Sequence, residues 1–162
     1  MEVAVNTEPK KIWCNWLTVV IIGIALFGVV LVIFPRLTHG LFNWIAFLGD
    51  RPKPLGDPEV VGYLSFVYGV LGAVMLGWSA AFYYIVRGPF RAGESWSWYA
   101  LAVPITVWFV ADSAHSMVSG FWPNAVFNAG FFMAFSVPLV ATFISFRPQP
   151  NQALKRTLHS AD

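Results

Sequence analysis

Four stretches of this chain are each long enough to cross a bilayer, and together they contain one acidic side chain and no Lys or Arg. They lie at about Leu17–Phe34, Val60–Val86, Trp98–Ser119 and Ala125–Phe146. A helix needs roughly 20 mostly apolar residues to span the hydrocarbon core. Hydrocarbon offers no water to free backbone N–H and C=O groups, so only helices and closed barrels cross it. The alternating in–out pattern of a barrel strand is absent, which leaves helices. The sequence therefore predicts an all-α membrane protein: one bundle of four transmembrane helices over residues 1–162, with polar tails at 1–10 and 148–162. The low charge agrees, at 11% against about a quarter in soluble domains. The length leaves no room for a second domain.

Basic residues set the orientation. Lys10, Lys11, Arg87, Arg91, Arg147, Lys155 and Arg156 fall on one side, and Arg36, Arg51 and Lys53 on the other. The richer side is expected to be cytoplasmic, so both termini face the cytoplasm of a multi-pass cell-membrane protein. The rival reading is a cleaved signal peptide starting at Lys10–Lys11. It fits less well, because the apolar run is long and its one small-x-small triplet, Gly23–Ala25, lies inside the run. A formal charge of +2 spread over ends and loops gives no reason to expect nucleic acid as a partner. Cys14 is the single cysteine, so an intramolecular disulfide is excluded.

Between the first two spans, Leu37–Leu48 reads as a short amphipathic interfacial helix with Leu41, Trp44, Ile45 and Leu48 at helical spacing. The Pro-rich run at 51–58 ends it. GFWPN (Gly120–Asn124) is a tight turn that makes the third and fourth helices antiparallel neighbours. Lys155, Arg156 and His159 of the tail read as solvated, with contact to anionic lipid as the alternative. In the second span, Gly69, Ala73, Gly77 and Ala81 recur at every fourth position, a helix-packing stripe that lets another helix come close. The expected contact lies inside the bundle; a contact with another membrane protein or a second copy is the alternative. Pro104 and Pro138 are expected to kink their helices and free backbone carbonyls.

Asp112 is the one acidic residue in the four stretches, and an ionisable group at membrane depth marks a candidate site. Trp108, Asp112, His115, Ser116 and Ser119 share one face of the third helix, and Asn124, Asn128 and Ser136 share a line on the fourth. Asp112 lies about 10 Å from the end of its span at 1.5 Å per residue. Asp112, His115 and Asn128 are therefore expected to meet near the outer surface, with His39 and Asn43 of the first loop able to cover them. Several chemistries fit this group: the polar head of a lipophilic ligand, a proton relay through Asp and His, a metal half-site with His39, or a purely structural network joining two helices. The sequence names no cofactor. Phosphate-loop, nucleophile-elbow and zinc-protease motifs are absent, and an Asp–His pair alone does not establish an enzyme.

Several runs carry a resemblance: Phe34–Pro35 closing the first span, GLFNWIAFL after it, YLSFVYGVLGAVMLGWS opening the second, and WFVADSAHSMVSGFWPNAVFN across the third and fourth. Over roughly Leu17–Phe146 the chain resembles the small four-helix integral membrane proteins of bacteria classed as domains of unknown function. That resemblance implies the four-helix bundle and no activity. The bundle size and the intramembrane acid are also similar to the emopamil-binding-protein-like superfamily, whose members bind sterol-like ligands. The chain departs from that family in lacking its several acidic residues on different helices. The functional expectation is a small lipophilic ligand held at Asp112, His115, Asn128, Trp108, Ser116, His39 and Asn43. The alternatives are an accessory subunit of a membrane complex and a membrane enzyme using the Asp–His pair.

Overall fold

The computed structural model describes residues 9–47 and 57–146. Most of the two tails and of the Pro-rich run at 51–58 lies outside the described residues, as do Leu48 and the basic residues Arg51, Lys53, Arg147, Lys155 and Arg156. Five α-helices form: α1 (Lys11–Ile33), α2 (Pro35–Ala46), α3 (Pro58–Ile85), α4 (Ser95–Val118) and α5 (Trp122–Thr142). Four of them, with the short turns that extend α3 and α5, are long and apolar enough to cross a membrane. Valines and leucines such as Val19, Leu26, Val107 and Val140 stand exposed on their outer faces. This is the character of a multi-pass membrane protein.

Local chemistry sets the boundaries. Phe34 precedes a proline, which disfavours helical backbone, and it adopts φ −122°, ψ 59°. Pro35 then opens α2 at a position where its missing N–H costs nothing. Asp57 caps α3 by accepting a hydrogen bond from the Glu59 amide at 2.9 Å. Pro89 cannot donate into the ladder, and the end of α3 widens into a π-helical turn over Val86–Phe90. Gly93 and Gly120, at φ 77° and 80°, end the π turn and α4 with the same left-handed closure. After α4 the Phe121 amide donates to the Ser116 carbonyl at 2.8 Å and the Gly120 amide to Met117 at 3.2 Å. After the π turn, Glu94 and Gly93 donate to Pro89 and Phe90 at 2.9 and 3.1 Å.

α2 covers most of the segment expected to be a short helix and divides its apolar residues between two faces. Its buried side chains are Thr38 and Ile45, with His39 and Phe42 turned toward α3. Leu37, Leu41 and Trp44, at i, i+4 and i+7, face outward. The Leu41–Trp44 stripe is thus the outer face of α2.

The packing stripe does not make the contact expected of it inside the bundle. Gly69 and Gly77 have open space where a Cβ would stand, and Ala73 and Ala81 are exposed. The close helix contact in the bundle is made by other glycines. A Cβ on Gly72 would stand 2.5 Å from the Gly28 carbonyl oxygen, and one on Gly28 would stand 3.0 Å from the Gly72 oxygen. α1 and α3 cross at this pair.

Pro138 does not break α5, which runs on to Thr142. Having no N–H, Pro138 leaves the Ala134 carbonyl without its helical donor. The Trp16 indole of α1 donates to that carbonyl at 3.0 Å. Farther along, the Phe143 amide tightens onto Val140, and the Trp98 indole of α4 fills the Leu139 carbonyl at 2.8 Å. Two tryptophans thereby tie α1 and α4 to α5.

The helices form a ring in the order α3, α1, α5, α4. α3 and α4 scarcely approach each other, so the ring is open at that seam. The core is lopsided. Cys14, Leu17, Ile21, Phe82, Val86, Phe90, Leu101, Ile105, Phe135, Leu139 and Phe146 pack solidly around the start of α1. The half toward the α4–α5 turn is hollow.

Candidate functional site

The hollow half is a cavity of about 480 Å³, within the usual range for small-molecule sites. Its walls are apolar and strongly aromatic: Phe27 from α1, Phe42 from α2, Trp78 and Phe82 from α3, Trp108 from α4, and Phe127, Phe131 and Phe135 from α5. The rings of Phe82 and Phe135, 6.3 Å apart and edge to face, close the floor. From Asn124 to Phe135 the cavity runs along α5 for about 16 Å at 1.5 Å per residue. Leu71 and Trp78 of α3, 42% and 40% exposed, line it together with the exposed Ala111 of α4. These residues mark its mouth at the α3–α4 seam.

Four polar side chains reach this apolar space: Asp112, Asn124 and Asn128 toward the α4–α5 turn, and Ser79 near the floor. The helix ladder explains their meeting. Trp108, Asp112 and Ser116 are spaced by four on α4, and Asn124 and Asn128 by four on α5, so the tight turn faces one row toward the other. Ser116 Oγ donates to the Asp112 carbonyl at 2.8 Å, and Asn124 Nδ2 donates to Ser116 Oγ at 2.8 Å. These short bonds use the hydroxyl proton and one amide N–H. The Asp112 carboxylate receives only two 3.5 Å contacts at Oδ1, from Ser116 Oγ and Asn124 Nδ2. Among the described residues no cationic side chain pairs with it.

Two further groups in the wall are unsatisfied. Asn128 is 3% exposed, and its Nδ2 has no hydrogen-bond partner. Ser79 is 5% exposed, and its Oγ has none either. Buried polar groups are nearly always paired, and a donor left alone costs roughly 1–3 kcal/mol.

The sequence-derived site is brought together in part. Asp112, Asn128 and Trp108 line the cavity, and Ser116 braces it from behind. His115 does not join them. It lies one position off the ladder of fours and its side chain is exposed, so no hydrogen bond or ion pair links it to Asp112. His39 and Asn43 bond to each other at 2.9 Å on α2. His39 lines a separate small cavity with Arg36, Ser65 and Tyr68, and the stacked rings of Phe42 and Tyr68, 5.3 Å apart, stand between the two spaces. They do not cover Asp112 from above. Among the described residues no three His, Cys, Asp or Glu side chains come together. Sequence reasoning left out Asn124 and Ser79. Asn124 was signalled by its register with Asn128, whereas nothing in the pattern around Ser79 marks its inward position.

Comparison with known proteins finds no matching family model, no similar curated protein and no similar solved structure.

Proposed function

We propose that this protein lies in the cell membrane with both termini in the cytoplasm and binds a small lipophilic molecule in the cavity. The apolar body of the ligand fills the aromatic space, and its polar end meets Asp112, Asn124 and Asn128 in the outer half of the membrane. α2 lies in the outer interface, its exposed Leu37, Leu41 and Trp44 turned to lipid. The observation that carries the reading is the buried, unpartnered Asn128 amide in the wall of an apolar cavity. Nothing among the described residues holds this amide, which leaves its carbonyl and N–H groups for the polar end of a ligand. The test is native mass spectrometry of gently extracted protein, wild type beside Asn128→Leu and His115→Ala. A co-purified small molecule should be present in wild type and His115→Ala and lost in Asn128→Leu. Bare protein throughout, or equal occupancy in all three, would count against the cavity as a binding site.

A second reading, an accessory subunit in a membrane complex or homo-oligomer, is supported by the outward stripe of Gly69, Ala73, Gly77 and Ala81. Small residues on a lipid-facing helix allow close approach of another helix. Gly77→Leu should then abolish co-purification of a partner polypeptide. Undiminished co-purification would rule this surface out.

A further inference from the structure

We propose that the occupant of the cavity is an organic cation: an amine or onium centre seated against Asp112, with its apolar substituents in the aromatic walls. This rests on the ligand-cavity reading and narrows it to one chemical class.

The argument begins with the carboxylate. A charge within a helix of membrane-crossing length and composition is costly unless it is paired, and such residues usually face a partner or a cavity. Asp112 has only the two 3.5 Å contacts from neutral groups, because the nearest hydroxyl proton and one amide N–H are already spent on shorter bonds. No Lys, Arg or His among the described residues supplies the opposite charge. Asp112 lines the cavity, so a counter-charge can approach it from that space.

The walls point to the same class. The faces of Trp, Tyr and Phe rings attract cations, most strongly where water is excluded. Trp108 stands one helical turn from Asp112 on the same cavity-facing row, Phe127 and Phe131 line the cavity from α5, and Trp78 stands at the mouth on α3. An anionic head, such as a fatty carboxylate or a phosphate, would meet a like charge and find no basic residue in the lining. A compact ammonium with many N–H groups would find few acceptors, since Asp112, the two asparagine carbonyls and Ser79 are the polar side chains of the wall. A cation clothed in hydrocarbon or aryl groups needs few acceptors and uses the aromatic faces. The mouth at the α3–α4 seam lets such an amphiphile arrive sideways with its apolar body already in lipid.

The test uses the full chain in nanodiscs of zwitterionic lipid, with empty nanodiscs subtracted and tritiated tetraphenylphosphonium as the cation. Saturable binding is expected in the wild type. Unlabelled triphenylphosphine oxide, a neutral molecule bearing similar aryl arms, should compete at least tenfold more weakly. Asp112→Asn should lose at least tenfold in affinity while Asp112→Glu retains binding. Equal competition by the neutral oxide, with Asp112→Asn unaffected, would overturn the cation assignment and leave the lipophile reading standing. If neither compound binds and native mass spectrometry also finds no ligand, both fall. The comparison of cation with neutral oxide in the wild type holds even if Asp112→Asn fails to fold.

Discussion

In the proposed reading, stability and binding pull in opposite directions at Asn128. Its amide is buried without a partner, so nothing in the chain recovers the cost of removing it from water. Leucine has a similar size and no donor. Asn128→Leu is therefore expected to keep or raise the thermal unfolding midpoint of the ligand-free protein in detergent, even as it empties the site. A clear fall in the midpoint would mean that the chain itself satisfies the amide and that the site reading is wrong. Asp112 was legible from the sequence because an acidic residue inside a long apolar stretch is rare. Asn128 and Trp108 followed from helical spacing. His115 did not follow, because i+3 and i+4 both count as the same face on a helical wheel. Here the difference of one position decides between cavity and exterior.

At the scale of the helix, the four long segments were readable from hydropathy alone, and the observed boundaries differ from the expected ones by a few residues. Which glycines make the contact was not readable. Gly69, Gly77 and Gly72 lie on one helix, and only the position of α1 decides that Gly72 faces in. Gly72→Ala should be costly, since its Cβ would press on the backbone oxygen of Gly28 and on Leu31 and Val32 at 2.8 and 2.9 Å. Overpacking of this kind typically costs about 1–3 kcal/mol, so a lowered unfolding midpoint is expected. Gly77→Ala, with open space at the Cβ and better helix propensity, serves as the matched control and should keep or slightly raise the midpoint. Equal effects would show that α1 and α3 do not cross here. The prolines carry a related lesson: the carbonyl freed by Pro138 was foreseeable, but its capture by Trp16, more than a hundred positions away in sequence, required the fold.

For the whole molecule, an all-helical fold with four helices of membrane-crossing length was legible and the internal void was not. Hydropathy records that a side chain avoids water, and it says the same of one facing lipid, one in a packed core and one lining a cavity. Phe127 and Phe131 read like Leu26 in sequence. Orientation is open to direct measurement. With Cys14 replaced by Ser, a cysteine at Ser119 should react with a membrane-impermeant maleimide added outside intact cells, and one at Ser95 should react only after lysis. The reverse pattern would invert the proposed topology and put the polar end of the site on the cytoplasmic side.

The unclosed α3–α4 seam has a mechanical meaning. α1 is clamped to α3 by the Gly28–Gly72 contact and to α5 by the Trp16 indole, and α4 is held to α5 by the short turn and by Trp98. A book bound in this way opens along a single edge. In a bilayer, acyl chains press on that edge directly, so the ease with which a guest enters or leaves depends on how tightly the surrounding lipids are squeezed. Affinity for any occupant would then be shared between protein and membrane, shifting with lipid composition while every residue of the site stays the same.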